Sequence, residues 1–328
     1  MTTEPVYGPR RSTVADDPGA MNARHALPPT LPTAFLVSGA RAAGVSRKRL
    51  EASDLHPVFH GVRSVVADPI IGLVPALSAD QAFCGPTAAA IWDLPLPRRW
   101  ENDARVHVSS SGPNRMRRPG VVASRRSSLT SVMVDGLPVL DPVSTWVSLG
   151  SLLAPWNLTA VADRLVSGTL KTPALSTISE LHSRLATAGR VPGVRALWES
   201  LDDVRVGSWS RPETLFRLVI VRAGLPEPVL NWAVALDDGR FAYLDLAWPE
   251  FMIALEYDGR RHDDPRQRQA DLERHERLAD AGWIVVHVRA TDLFGQPSAL
   301  VARLVRRLRS RGFVADPIEW SRMPRFEP

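Results

Sequence analysis

Four acids in the last third of the chain have types and spacing that could do chemistry. Glu213 falls on an expected helix, Asp245 on an expected strand, and Glu256 and Asp258 two residues apart near the end of another. Side chains alternate along a strand, so Glu256 and Asp258 point to one face. Asp245, on the neighbouring hairpin-linked strand, can sit beside them, with Glu213 approaching from the preceding helix. Carboxylates converging on one point repel one another unless a divalent cation neutralises them. Hard oxygen donors favour Mg2+ or Mn2+ over zinc. Glu213, Asp245 and Glu256 are the expected metal ligands. Such a centre suits phosphodiester hydrolysis, in which the metal polarises a phosphoryl oxygen and acidifies a bound water. The competing reading makes Asp245 a solvent-facing strand residue and Asp258-Gly259 a turn. Glu256 is harder to dismiss, because an acid late in an apolar strand is costly unless exposed or paired.

The elements that must position these acids are legible in outline. A helix at 212–219 stops at Gly224-Leu225-Pro226. Strands are expected at 229–236 and 241–247, joined by the hairpin turn Asp237-Asp238-Gly239-Arg240, and at 251–258. A helix rich in Arg and Asp follows at about 265–281, then a strand at 283–288 and a basic helix at 300–309. On the 265–281 helix the default is a solvated face with pairs such as Asp271–Arg274, while Arg268 and Arg274 can instead reach phosphates near the acids. His275 and His287 read as structural.

The words "YLDLAWPEFMIALEYDGRRHDD" and "RQADLERHERLADAGWIVVHVRATDLF" make this block, 203–315, resemble the domains related to very-short-patch repair endonucleases within the PD-(D/E)XK superfamily. The resemblance implies a restriction-endonuclease-like mixed sheet flanked by helices. It puts Asp245 in the first acidic position, Glu256 in the second, Glu213 at the upstream helix glutamate, and Asp258 and His262 in the E-x-D-G-x-x-H form of the subfamily. Asp245, Glu256, Asp258 and His262 are therefore the catalytic candidates. The superfamily signature ends in lysine. Here Asp258 stands in that place, and no lysine follows Lys171. His262 is then the candidate base, having a pKa near working pH, with Arg260 and Arg261 as electrostatic stabilisers. Either the chemistry runs without the lysine or the domain only binds DNA.

Residues 1–30 are rich in proline, lack periodicity and read as a disordered tail, with Met21 a second candidate start. Phe35, Leu36, Ala40 and Ala43 fit one helical face, Gly44-Val45 a tight turn, and Ser46 the N-cap of a second helix opening with Arg47, Lys48 and Arg49. That is a helix-turn-helix layout, with a wing at 58–65. "AAGVSRKRL", "VFHGVRSV" and "GPTAAAIWDLPLP" resemble the winged-helix domains of AbiEi-like antitoxins over residues 31–170. Further expectations are a helix at 81–92 with Phe83, Ala88 and Ile91 inward, strands at 105–108, 120–124 and 132–140, and helices over 144–201 broken at Pro155, Pro173 and Pro192. The domain reading is a tail 1–30, a winged helix-turn-helix 31–97, an α+β middle region with a helical linker 98–202, the nuclease-like domain 203–315 and a tail 316–328. The fold class is α/β, multi-domain.

Composition bounds the rest. Hydrophobic residues make up 45% and charged residues 23% of 328, an ordinary globular balance that excludes a fully disordered or fibrous chain. Cys84 is the single cysteine, which excludes internal disulfides and cysteine-based zinc sites. No apolar run reaches the ~18 residues of a membrane span, no basic-then-apolar leader opens the chain, and a cytoplasmic location is expected. Of 40 Lys and Arg only Lys48 and Lys171 are lysine. Arginine's planar fork suits phosphate. A G+C-rich genome produces the same bias, so only clusters count: Arg47, Lys48, Arg49, Arg260, Arg261, Arg268 and Arg274 are the DNA-contact candidates. Two functions follow: a metal-dependent endonuclease acting on DNA, with RNA an alternative substrate, or a non-catalytic antitoxin-like regulator accompanied by a partner toxin.

Overall fold

The computed structural model describes residues 26–113, 115–127, 129–258, 265–314 and 326–327. The chain is mixed α/β and divides into two compact units, 1–75 and 76–328. In the first, β1 (Ala34–Leu36) pairs antiparallel with β2 (Val62–Ser64). Helices α1 (Val37–Ala42) and α2 (Arg47–Leu50) lie between them and α3 (Pro69–Leu73) follows. Phe35 and Leu36, expected on a helix, form strand because their backbone is claimed by the β2 ladder. Gly44 adopts φ +85°, the left-handed turn that only glycine adopts without strain. Ser46 caps α2, its hydroxyl accepting the Arg49 amide at 3.2 Å. Phe35, Ala40, Val45, Leu50 and Leu55 form the core of this unit, and Arg63 on β2 donates to the carbonyl of Leu50, closing α2 against the ribbon.

The second unit opens with β3 (Gln81–Phe83), α4 (Gly85–Ile91) and α5 (Arg98–Glu101), followed by β4 (Val106–Ser110), β5 (Val121–Arg125), β6 (Ser131–Val134) and β7 (Leu137–Leu140). The strands form one five-stranded sheet in the order β5-β4-β3-β7-β6. Gln81–Phe83, expected as the first turn of a helix, is the central strand: its alternation cannot be told from a helical start by spacing alone, and strands on both sides claim its backbone groups. Asp135 and Gly136, both at positive φ, turn β6 into β7. Four helices follow: α6 (Pro142–Leu149), α7 (Pro155–Val166), α8 (Ile178–Thr187) and α9 (Val194–Asp202). Pro155 begins α7 at its first turn, where a missing N–H costs nothing. Trp146, Leu149, Leu158, Leu165, Leu181 and Leu197 fill their shared core.

Helix α10 (Arg211–Arg222) leads into a four-stranded mixed sheet ordered β11-β10-β9-β8, made of β8 (Val229–Ala235), β9 (Phe241–Trp248), β10 (Ile253–Tyr257) and β11 (Ile284–Val288). The hairpin pairs are antiparallel and β10–β11 is parallel, crossing over through α11 (Pro265–Asp280). Helices α12 (Ala290–Phe294) and α13 (Pro297–Arg309) close the chain's described part. One sheet face, through Leu246, Trp248, Leu255 and Val286, packs on α10 and α13; the other, through Leu244, Ala247 and Ala254, packs on Leu278 of α11.

α10 is locked to α7 by a buried ion pair. Asp163 and Arg217 side chains are each 1% exposed and meet at 3.2 Å. Asp163 also accepts the Thr214 hydroxyl at 2.8 Å and the Arg205 amide at 2.7 Å. Burial pushes the Asp163 carboxyl up to about 6, against the opposing pull of Arg217. Such a pair adds little net stability over an apolar filling, but removing Arg217 strands Asp163, whereas Arg217 has a second partner in Glu227 at 3.0 Å. Arg217→Met is expected to cost about 3–5 kcal/mol in urea unfolding, with Asp163→Ala/Arg217→Met recovering part of that loss; equal costs for both variants would refute this role.

Candidate active site

The two strand acids meet because of register. The β9–β10 ladder pairs Trp248 with Ile253, Ala247 with Ala254 and Leu246 with Leu255. Continued by one position, that register would set Asp245 opposite Glu256, but the pairing stops at Leu246–Leu255. There the ladder gives way to a side chain: the Tyr257 amide donates to Asp245 Oδ2 at 2.8 Å. On the other edge, β8–β9 pairing holds at Leu230–Leu246 and Trp232–Leu244 and skips the position between. Asn231 occupies it at φ +48°, and its side-chain Nδ2 donates to Glu213 Oε2 at 2.9 Å and to the Gly207 carbonyl. The alternation of β9 slips here. Ala242 and Leu244 face α11, while Leu246 and Trp248 face α10. Asp245 stands at the slip.

Glu213 reaches the site from the first turn of α10. Ser210 caps that helix, its hydroxyl accepting the Glu213 amide and donating to Glu213 Oε1 at 2.7 Å. The Trp209 amide donates to Oε2 at 2.8 Å. Burial still raises the Glu213 carboxyl above its ordinary range, beyond what these hydrogen bonds recover. Asp245 is pushed up to about 7, first by burial and then by the charge of Glu213, with Glu256 adding to it; the Tyr257 amide and Arg274 pull the other way. Glu256 differs. Burial raises it, but hydrogen bonds from His275 and Arg274 outweigh that and hold it below the ordinary range. Arg274 grips it with both terminal nitrogens, at 2.5 and 3.1 Å, and also donates to the Tyr243 carbonyl. The expected Asp271–Arg274 helix pair is therefore replaced by a link from α11 to the acid.

His275 Nε2 lies 3.2 Å from Glu256 Oε2, and His287, the parallel neighbour of Glu256 across β10–β11, stacks edge-on against His275 with ring centroids 4.5 Å apart. Among the described residues, the three metal-competent ligand atoms that fall within 4.8 Å of one another belong to Glu256, His275 and His287. Glu213 and Asp245 are outside that group, so the carboxylate ligand set and this mixed set share only Glu256. Two imidazoles and one carboxylate suit zinc, manganese or another transition ion, whereas the three carboxylates suit Mg2+. Asp258 lies alongside, 3.3 Å from His287 Nδ1 and 3.8 Å from Arg289. The two histidines escaped sequence reading as ligands because their approach needs the β10–β11 pairing, which spacing does not disclose.

Arg260, Arg261 and His262 lie outside the described residues, as does the side chain of Arg268 on α11. The basic cluster of the first unit is partly spent internally. Arg47 pairs with Glu51 at 2.8 Å, and Arg49, 11% exposed, is held by both oxygens of Asp54. Lys48 is exposed. Among the described residues, no helix is long and apolar enough to cross a membrane.

The chain is similar to two uncharacterized proteins of Mycobacterium tuberculosis, MT2308 of strain CDC 1551 / Oshkosh and Rv2248 of strain ATCC 25618 / H37Rv. Each is 26% identical over 256 residues, which span 76% of this chain and 91% of the relative. No family model matches the chain. No solved structure matches it.

A carboxyl whose folded pKa is raised contributes stability at low pH and loses it as pH rises through the folded value. Asp245 should therefore weaken the metal-free fold between about pH 4 and pH 7. In the presence of a chelator, Asp245→Asn, which keeps an oxygen for the Tyr257 amide, is expected to match the parent's Tm near pH 4.5 and exceed it near pH 8. Parallel melting profiles at both pH values would refute the assignment.

Proposed function

We propose that the C-terminal sheet and its flanking helices form a metal-dependent nuclease that hydrolyses DNA phosphodiester bonds, with the first unit as a DNA-docking winged helix-turn-helix. The observation that carries this reading is Asp245, set between Glu213 and Glu256 and pushed up to about 7 by burial and their charges. A buried acid raised by two neighbouring carboxylates gains most from a divalent cation. Asp245 and Glu256 would hold Mg2+ or Mn2+, with Glu213 fixed beside them by the α10 cap. The ion would supply polarisation of the phosphoryl oxygen and a more acidic bound water. Arg274 is committed to Glu256 and the Tyr243 carbonyl, and would take up negative charge from the phosphate only once an ion replaces it on Glu256. His262, outside the described residues, would be the base for that water in this reading, and Asp258 contacts His287 at 3.3 Å. The resemblance to very-short-patch repair endonucleases agrees with this domain assignment, and a cytoplasmic location suits it.

Purified full-length protein should nick supercoiled DNA with Mg2+ or Mn2+ and stop with chelator. Glu256→Gln and Asp245→Asn should each lower the rate about 100-fold. Nicking at equal rates by parent and variants would remove the assignment.

Arg274 also favours a second reading. It already neutralises Glu256, and no lysine follows Lys171. An AbiEi-like, non-catalytic DNA-binding regulator would then bind a specific duplex whether or not Glu256 is intact. In a gel-shift assay its binding should survive Glu256→Gln and weaken with Arg47→Ala/Lys48→Ala, with a shallower salt dependence; unchanged binding by the double variant would exclude it.

A further inference from the structure

A cavity of about 640 Å³ lies in the second unit, between the β4–β5 edge of the five-stranded sheet, the loop after β5, α6 and the segment that follows α8. That volume is typical of small-molecule sites. Arg125, Arg126, Arg184 and Arg190 line it, and among its described lining residues there is neither Asp nor Glu. Arg184 is already paired, with Asp141 at 3.2 Å. His107 is likewise held by Asp103. Arg125, Arg126 and Arg190 have no ion-pair partner among the described residues.

Arg126 is the telling member. Its Nε is buried with no hydrogen-bond partner, and burial lowers the pKa of its guanidinium. A guanidinium taken from water without a counter-charge costs stability. The nearby Cys84 thiol is no substitute, since burial pushes it up to about 11 and leaves it neutral. Hydroxyls of Ser127, Thr130 and Ser151 line the same space. Unpaired arginines beside hydroxyls, with no carboxylate, match the way proteins hold phosphate groups. Val122, Leu140, Val147 and Leu152 supply an apolar portion that a bare inorganic anion would not use.

We propose that this cavity binds a phosphorylated small molecule of nucleotide size, with Arg126 and Arg190 on the phosphates and the apolar side chains against the uncharged part. The site is separate from the acids of the C-terminal sheet and does not rest on their being catalytic.

Isothermal titration of the full-length protein tests this with ATP and GTP, and with pyrophosphate and adenosine as partial ligands. One ATP or GTP per chain is expected, with pyrophosphate at least tenfold weaker and adenosine silent at 1 mM. Arg126→Gln and the exposed Arg190→Gln should each weaken nucleotide binding at least tenfold, and Arg195→Gln, on α9 outside the cavity, should not. Relieved of a half-buried charge with no ion-pair partner, ligand-free Arg126→Gln should melt no lower than the parent. The proposal is overturned if neither nucleotide binds at 1 mM, if pyrophosphate binds as well as ATP, if Arg195→Gln loses as much as Arg190→Gln, or if Arg126→Gln melts lower while binding is intact.

Discussion

One hydrogen bond shapes the candidate active site: the backbone amide of Tyr257 given to the carboxylate of Asp245 in place of a neighbouring strand's carbonyl. It ends the β9–β10 ladder one pair early and holds an acid in the plane of the sheet. There Asp245 lies between a buried helix-capping glutamate and a glutamate gripped by arginine. The skip at Asn231 on the other side of β9 is its counterpart, since this residue, at positive φ, gives its side-chain amide to Glu213. Together these two irregularities turn an ordinary antiparallel hairpin into the meeting point of α10, β9 and β10. Local strain of this kind persists only where the surrounding packing enforces it. Here that packing is supplied on one face by Leu246 and Trp248 and on the other by Leu244 and Ala247.

The position of Glu213 depends in turn on α10, and α10 is fixed to the helical layer by Asp163 and Arg217. A buried pair is a poor source of net stability but a strong source of specificity in some proteins. Its members favour one relative placement of α7 and α10, because a slip would leave the Asp163 carboxylate without its cation in the core. Thr214 and the Arg205 amide complete the hydrogen bonding of Asp163, and Glu227 takes a second nitrogen of Arg217. The middle helices and the C-terminal sheet are joined through polar groups where a purely apolar seam would permit sliding.

The arginine bias of the composition divides in the folded chain into three uses. Some arginines are structural, as with Arg63 on the Leu50 carbonyl and Arg217 in the core. Some neutralise acids, as with Arg49 on Asp54 and Arg274 on Glu256. Others, among them the half-buried Arg126 and the exposed Arg190, have no ion-pair partner among the described residues. These have binding capacity left to offer an anion. Counting charges along a sequence cannot make this division, because the deciding partner is often distant in the chain: Asp141 lies 43 residues from Arg184, and Glu256 lies 18 from Arg274.

Local physics made much of the chain readable. Ser46 is an N-cap with the hydrogen bond its type suggests, Asp237–Arg240 turns the β8–β9 hairpin, and the apolar run ending at Glu256 is a strand. In these cases the determining contacts lie within a few residues. Phe35 and Gln81–Phe83 went to strands instead of helices because partners dozens of residues away claimed their backbone groups. The sequence alone therefore established the mixed α/β character, the candidate acids and the absence of a cysteine framework. Tertiary structure alone decided that Glu256 meets two histidines and an arginine, that Asp245 lies at a break in the ladder, and that arginines gather around a cavity without carboxylates. Each of these depends on strand order and helix placement, which follow from packing between distant segments rather than from the preferences of any short stretch.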